Sequence, residues 1–182
     1  MDTNRTPTRR LRIFLRDFRM VEAQVSLADG QSLTTFFANR RSYLNLQGSH
    51  WASTQEDIEH AVLRVAQVLW ASAPDGDVGL THASGHPEHR PVELQLDGGL
   101  LVRAQLLTGE RQRLSDFLES AGPFVPLRHA VLLRSGRPPR QTNVNLGDIV
   151  LNQDAVQAAW EVESHETPGG PAAASLESIT EP

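Results

Sequence analysis

A serine and an aspartate stand side by side at Ser115–Asp116, inside LLTGERQRLSDFLESAGPFVPL (residues 106–127), where a run of alternating apolar residues breaks off. A hydroxyl beside a carboxylate is raw material for nucleophilic or acid–base catalysis, but it works only when a third group orients it and a pocket excludes water. Ser49, His50 and Ser53 offer hydroxyls and an imidazole, without the G-x-S-x-G elbow that would present a serine at a strand-to-helix turn. The carboxylate pairs Glu56/Asp57 and Glu110/Asp116 fall in expected turns or at strand ends, where charges are normally solvated and nothing in the sequence suggests an apolar pocket. His82, His86 and His89 in THASGHPEH, with Asp75, Asp77 and Glu88 nearby, are the best metal ligands by residue type, since three imidazoles leave zinc one open position. Gly85 and Pro87 oppose the helix that would set two of them on one face, so a solvated linker is expected and no metal is assigned. Asp97–Gly98–Gly99 precedes a strand and not a helix, so it offers an anion no helix N-terminus.

Composition removes further chemistries. The chain has no cysteine, which excludes disulfides, thiolate nucleophiles and cysteine-ligated metals, and fits a reducing compartment. All 17 basic residues are arginine, so neither a Schiff-base lysine nor the lysine of a phosphate loop is available. No catalytic residue and no cofactor is assigned, and a non-enzymatic protein is the expectation. No run of apolar residues approaches the roughly 20 of a membrane span, and no signal-peptide segment is present, so the default location is the cytoplasm.

Charge is the strongest remaining signal. The net charge of -5 hides a local +4 over residues 1–20, where Arg5, Arg9, Arg10, Arg12, Arg16 and Arg19 face only Asp2 and Asp17. A second basic loop, RSGRPPR, carries Arg134, Arg137 and Arg140. These stretches could bind an anionic partner or pair with the protein's own acidic surface. In TRRLRIFLRDFRMVEAQV, Leu11, Phe14, Leu15 and Phe18 fit the apolar stripe of a basic amphipathic helix, which would suit peripheral contact with a membrane complex. Leu11, Ile13 and Leu15 equally fit a strand, with Phe14 breaking the polar alternation, and burial against the protein's own body is the plainer reading. For nucleic acid, the arginines stand against an acidic total and few stacking rings.

The elements that must position these residues recur. Shifted by 81, residues 21–46 (VEAQVSLADGQSLTTFFANRRSYLNL) lie without gaps over residues 102–127 (VRAQLLTGERQRLSDFLESAGPFVPL), with identities at Val21/Val102, Ala23/Ala104, Gln24/Gln105, Gln31/Gln112, Leu33/Leu114, Phe36/Phe117 and Leu46/Leu127. The matched positions are mostly those a core needs, which points to internal duplication. Ser115–Asp116 aligns with Thr34–Thr35, so the acidic group does not recur, and the pair reads as a helix cap and a turn. Leu33/Leu114 and Tyr43/Phe124 are expected at equivalent buried points, and Trp70 and Trp160 near equivalent ends. Residues 90–107 read as two strands joined at Asp97–Gly98–Gly99.

The matching stretches at residues 102–107, 113–118 (RLSDFL), 124–133 and 149–152 resemble the small β-barrel domains of uncharacterised bacterial proteins, which are similar to an Sm-like barrel of five bent strands. The first half departs from that pattern, with Thr-Thr for Ser-Asp and Arg64 near the position of Asn152, and the resemblance carries over no functional residue. The expected fold is mainly β: two tandem, duplicated barrel-like repeats at 10–73 and 89–163, a disordered arm at 1–9, a linker at 74–88 and a disordered tail at 164–182. The expected role is an adaptor or accessory subunit that binds a protein partner or larger assembly. Its binding residues would be Arg9, Arg10, Arg12, Arg16, Arg19, Arg134, Arg137 and Arg140. The alternative is a nucleic-acid-binding regulator using the basic arm.

Overall fold

A computed structural model describes residues 7–28, 30–39, 42–74, 88–135 and 140–163, with Ser135 and Arg140 placed by backbone alone. The arm before Pro7, His82, His86, Asp75, Asp77, Arg137 and the tail at 164–182 lie outside the described residues. Ten strands alternate with short turns: β1 (Thr8–Leu15), β2 (Met20–Ser26), β3 (Tyr43–Trp51), β4 (Glu56–Arg64), β5 (Val68–Ser72), β6 (Glu88–Leu96), β7 (Leu100–Thr108), β8 (Phe124–Ser135), β9 (Arg140–Asn152) and β10 (Val156–Glu161). Helices α1 (Leu33–Ala38) and α2 (Leu114–Ser120) each span between the second and third strand of their half. The basic stretch expected as an arm is therefore β1 from Thr8 onward, and it lies in the interior of the sheet between β5 and β2.

All ten strands form one antiparallel sheet, in the order β10-β6-β7-β8-β9-β5-β1-β2-β3-β4. Each run of five strands has the same internal order, with its fifth strand beside its first. The pairing register repeats as well. Ile13 faces Val21 as Leu94 faces Val102, Leu44 faces Leu63 as Val125 faces Leu151, and Ile13 faces Ala71 as Leu94 faces Ala159. Equivalent residues thus differ by 81 through the third strand and by 88 from the fourth onward. The longer hairpin of β8 and β9, 12 and 13 residues against 9 each for β3 and β4, accounts for the change. The same register corrects one expectation: Trp160 stands opposite Glu93 as Ser72 stands opposite Arg12, so Ser72, not Trp70, occupies the place equivalent to Trp160.

The sheet does not close. Barrel closure was the expectation because it removes edges, yet the fourth strand of the second half, β9, pairs with β5 of the first half and joins the halves at Trp70↔Leu151 and Ala71↔Val150. The sheet therefore continues across the molecule and leaves β4 and β10 as its outer edges.

Two apolar cores hold the sheet in this shape. One gathers Leu11, Ile13, Val21, Val25, Leu44, Leu46, Val68 and α1, and takes Phe124 and Val150 from the second half. The other gathers Val92, Leu94, Leu96, Val102, Leu106, Leu127, Leu132, Ile149 and Leu151, and takes Phe14, Leu69 and Trp70 from the first. Strand geometry explains the exchange: successive side chains point to opposite faces, and at the seam both faces are covered. This resolves the broken alternation of β1, because Phe14 is buried on the face opposite Ile13 and stacks on Trp70 with ring centroids 4.3 Å apart. Asn152, one of three buried polar residues among the described ones, completes the seam by donating from Nδ2 to the Val68 carbonyl at 2.9 Å.

The β1–β2 and β6–β7 turns touch each other. Arg16 pairs with Asp97, and the Phe18 ring lies over Gly98 so closely that a Cβ there would collide with Phe18 Cζ. Gly98 and Gly99 take φ values of 75° and 79°, a left-handed backbone that glycine adopts without a steric cost.

Candidate functional site

No catalytic constellation forms among the described residues. Ser49 and His50 are neighbours on β3 and therefore point to opposite faces. Ser49 is buried and donates to the Ile58 carbonyl at 3.1 Å, whereas His50 is exposed, its Nδ1 2.8 Å from Asp57 Oδ1. Ser115 and Asp116 sit in the first turn of α2, exposed, with Ser115 Oγ donating to Asp116 Oδ1 at 3.3 Å. Ser115 does not cap α2. The N-cap of α2 is Arg113, which makes no side-chain cap, while in α1 the Ser32 hydroxyl accepts from the Thr35 amide. With Arg113 at the N-cap, Ser115 is the second helical residue, and its hydroxyl is not in the position from which an N-cap side chain accepts from a free amide. Of the histidine cluster only His89 is described, exposed on β6 opposite Leu107. No group of three or more metal-ligating side chains assembles among the described residues.

The arginines of β1 and its turn engage the protein's own carboxylates. Arg10 and Arg12 both donate to Glu22 on β2, Arg12 at 2.7 Å, because residues 10, 12 and 22 share one face of the hairpin. Burial alone would raise the Glu22 carboxyl, but the hydrogen bonds from Arg12 and Arg10 and their charges outweigh it and hold it below the usual range. Arg16 pairs with Asp97 across the halves. Arg19 pairs with Asp17 at 2.6 Å and places its guanidinium 5.1 Å from the Trp51 ring centroid. For Asp17, partial burial is likewise outweighed by hydrogen bonds from the Arg19 side chain and amide, and its carboxyl is also lowered. Arg9 is half-buried on β1 opposite Val25. Arg134 is exposed on β8, and the Arg140 backbone opens β9 opposite Ser135. The two basic groups lie on separate strands and do not merge into one described patch.

What the residues do build is a pair of unsatisfied sheet edges. Among the described residues, the large apolar side chains that stay exposed are Val62 at 67%, Tyr43 at 60%, Trp160 at 39% and Ile58 at 36%. Ile58 and Val62 belong to β4, Tyr43 pairs with Arg64 at the end of β4, and Trp160 lies on β10. Three of the four therefore lie on the outermost strands, and Tyr43 lies on β3 directly beside the end of β4. Sequence reasoning missed them because alternation alone sorts Val62 and Tyr43 with core residues, and their exposure follows from the strand order and packing of the described residues.

The two helices differ in the same sense. Leu33, Phe36 and Phe37 of α1 are buried, and Phe37 stacks on Phe124 with centroids 4.7 Å apart. Leu114, Phe117 and Leu118 hold the equivalent places on α2 and are only half-buried. The expectation that Leu33/Leu114 and Tyr43/Phe124 occupy equivalent elements holds, but burial does not match within either pair. Phe124 is 3% exposed and Tyr43 is 60% exposed.

No helix among the described residues is long and apolar enough to cross a membrane. Compared with known proteins, the chain matches no family model, no curated protein and no solved structure.

Proposed function

We propose that this protein is a non-enzymatic adaptor or accessory subunit. Its two halves are copies of one five-strand unit similar to an Sm-like barrel, fused through the β5–β9 seam, and it binds a protein partner along its open sheet edges. Three features support the duplication: the shared strand order, the repeated register and the identities at an offset of 81. The single observation that carries the binding role is where the exposed large apolar side chains among the described residues lie: Ile58, Val62 and Trp160 on the outermost strands, and Tyr43 on β3 beside the end of β4. An edge strand presents unpaired amide and carbonyl groups, and exposed apolar side chains beside them favour a strand partner over water.

The arginines of β1 and its turn fit this role less directly than the sequence suggested. Arg10, Arg12, Arg16 and Arg19 each pair with a carboxylate of the same chain, which weakens both an arginine-led docking role and the nucleic-acid alternative. The test is native purification of the wild-type chain beside Tyr43→Arg/Val62→Arg and Ala158→Arg/Trp160→Arg. Under the proposal the wild type retains a stoichiometric protein and at least one edge variant releases it. Equal retention by both variants overturns the edge role. Nucleic acid retained in place of protein, seen as excess 260 nm absorbance lost at high salt, favours the alternative.

A further inference from the structure

The internal seam is a template for an interface between chains. We propose that the partner at the open edges is a second copy of this chain, docked head to tail, with β4 of one copy pairing antiparallel with β10 of the next. The proposal rests on the edge-binding reading and names its partner.

The argument starts from position. At the seam, β9, the fourth strand of its half, adds to β5, the fifth strand of the other half. The fourth strand left free is β4, and the fifth strand left free is β10. The molecule thus carries one unused copy of each partner in a pairing it already makes. Carrying the seam register across the offset of 88 sets Val62 opposite Ala159 and Leu63 opposite Ala158, as Val150 stands opposite Ala71 and Leu151 opposite Trp70. Continued antiparallel, that register sets Trp160 opposite the small Ala61 and His60 opposite Glu161. The acidic Glu56, Asp57 and Glu59 then run past the end of β10 and escape like-charge contact with it.

Side chains give a second, independent argument. Two residues of the second half enter the first core, Phe124 and Val150. Their equivalents are Tyr43 and Val62, the two most exposed large apolar residues among those described. The surface that receives Phe124 is α1, and its equivalent α2 keeps Leu114, Phe117 and Leu118 half-exposed. Donor and acceptor are both present and both uncovered. Docking a second copy would seat Tyr43 against Leu118, the residue equivalent to Phe37.

The new interface is the weaker of the two. On the other face of the seam, Phe14 and Trp70 enter the second core, and their equivalents are Gln95 and Ala158. One apolar face is therefore replaced by polar and small side chains, which makes the association reversible and dependent on concentration. Because its two surfaces differ, the contact is heterologous: every added copy restores one free β4 and one free β10, until the set closes into a ring.

Sedimentation velocity on the full chain, over a wide concentration series, tests the inference. The wild type should move from the 20.1 kDa monomer to multiples of that mass. Tyr43→Arg/Val62→Arg and Ala158→Arg/Trp160→Arg alter exposed side chains, and circular dichroism checks that both remain folded. Each variant alone should stay monomeric. Mixed in equal amounts they should form a dimer and nothing larger, since the mixture holds one intact edge of each kind. A wild type monomeric at every concentration overturns the proposal, as does a mixture that stays monomeric or one edge variant that associates like wild type. If the wild type is monomeric but its edge variants shed a different native protein, self-association fails and the adaptor reading stands. If the wild type associates as described and retains no other protein, the adaptor reading fails alone.

Discussion

The β5–β9 seam and the outer strands β4 and β10 are built from equivalent positions and meet opposite fates. At the seam, Phe124 and Val150 cross into the neighbouring half and lose contact with water; at the outer edge, Tyr43 and Val62 occupy the same places and face it. Burial of a side chain is thus set here by what the adjacent unit supplies, and much less by residue type. The helices report the same difference, since Phe124 stacks on Phe37 of α1 while Leu114, Phe117 and Leu118 of α2 stay half-exposed among the described residues. An open sheet leaves its least satisfied backbone groups at its two outer strands.

The sharpest way to break this comparison is to truncate both members of the pair. Phe124→Ala should cost about 3–5 kcal/mol, because it empties a core position and removes the stack on Phe37. Tyr43→Ala in dilute protein should change stability by less than about 0.5 kcal/mol, since its ring packs against little. Urea denaturation followed by far-ultraviolet circular dichroism measures both. Equal costs would mean that the two positions are not distinguished by the seam.

A smaller effect separates Asn152 from Arg64. Asn152→Ala leaves the buried Val68 carbonyl without its donor and the Asp154 amide without its acceptor, a loss of about 1–3 kcal/mol. Arg64 holds the equivalent place on β4 and is exposed, so Arg64→Ala should stay within about 0.5 kcal/mol in the same denaturation experiment. Gly98→Ala comes next, at about 1–2 kcal/mol, because it combines a left-handed backbone with a collision against the half-buried Phe18 ring. Pairing it with Phe18→Ala should recover part of the loss, and full additivity would remove the Phe18 contact as its cause.

The smallest expected effect concerns protons. The folded-state pKa of Glu22 lies below its ordinary value of 4.5. Its pairs with Arg10 and Arg12 therefore contribute stability that is fully present above about pH 4.5 and is lost as pH falls through the lowered value. Glu22→Gln should remove that share of the acid dependence, making the mutational cost smaller at pH 3 than at pH 7. A cost independent of pH would contradict the role of these ion pairs.

The sequence made some of this legible and hid the rest for identifiable reasons. The alternation of Val21, Ala23 and Val25 and of Val102, Ala104 and Leu106 marks strands that each bury one face, and the match at an offset of 81 aligned those strands correctly. The match fails beyond the third strand because β8 and β9 are longer, which is why Trp70 was set against Trp160. Closure was not legible, since the residues of β9 that join β5 have the same apolar character as residues that would close a barrel. Nor could charge counting show that the β1 arginines are matched. Glu22 and Asp97 lie 10 to 81 positions away from them and meet them only through hairpin register and the packing of two turns. The open edges were invisible for the same reason: an edge is a property of strand order, not of any residue.

Amide hydrogen exchange across a concentration series tests the central claim most directly, because it reads the seam and the edges in one sample. The account predicts that β5 and β9 are protected at every concentration, while amides near His60–Leu63 on β4 and Ala158–Glu161 on β10 exchange quickly in dilute protein and slow together as concentration rises. Exchange at β4 and β10 that does not change with concentration, or slowing confined to one of them, would contradict it.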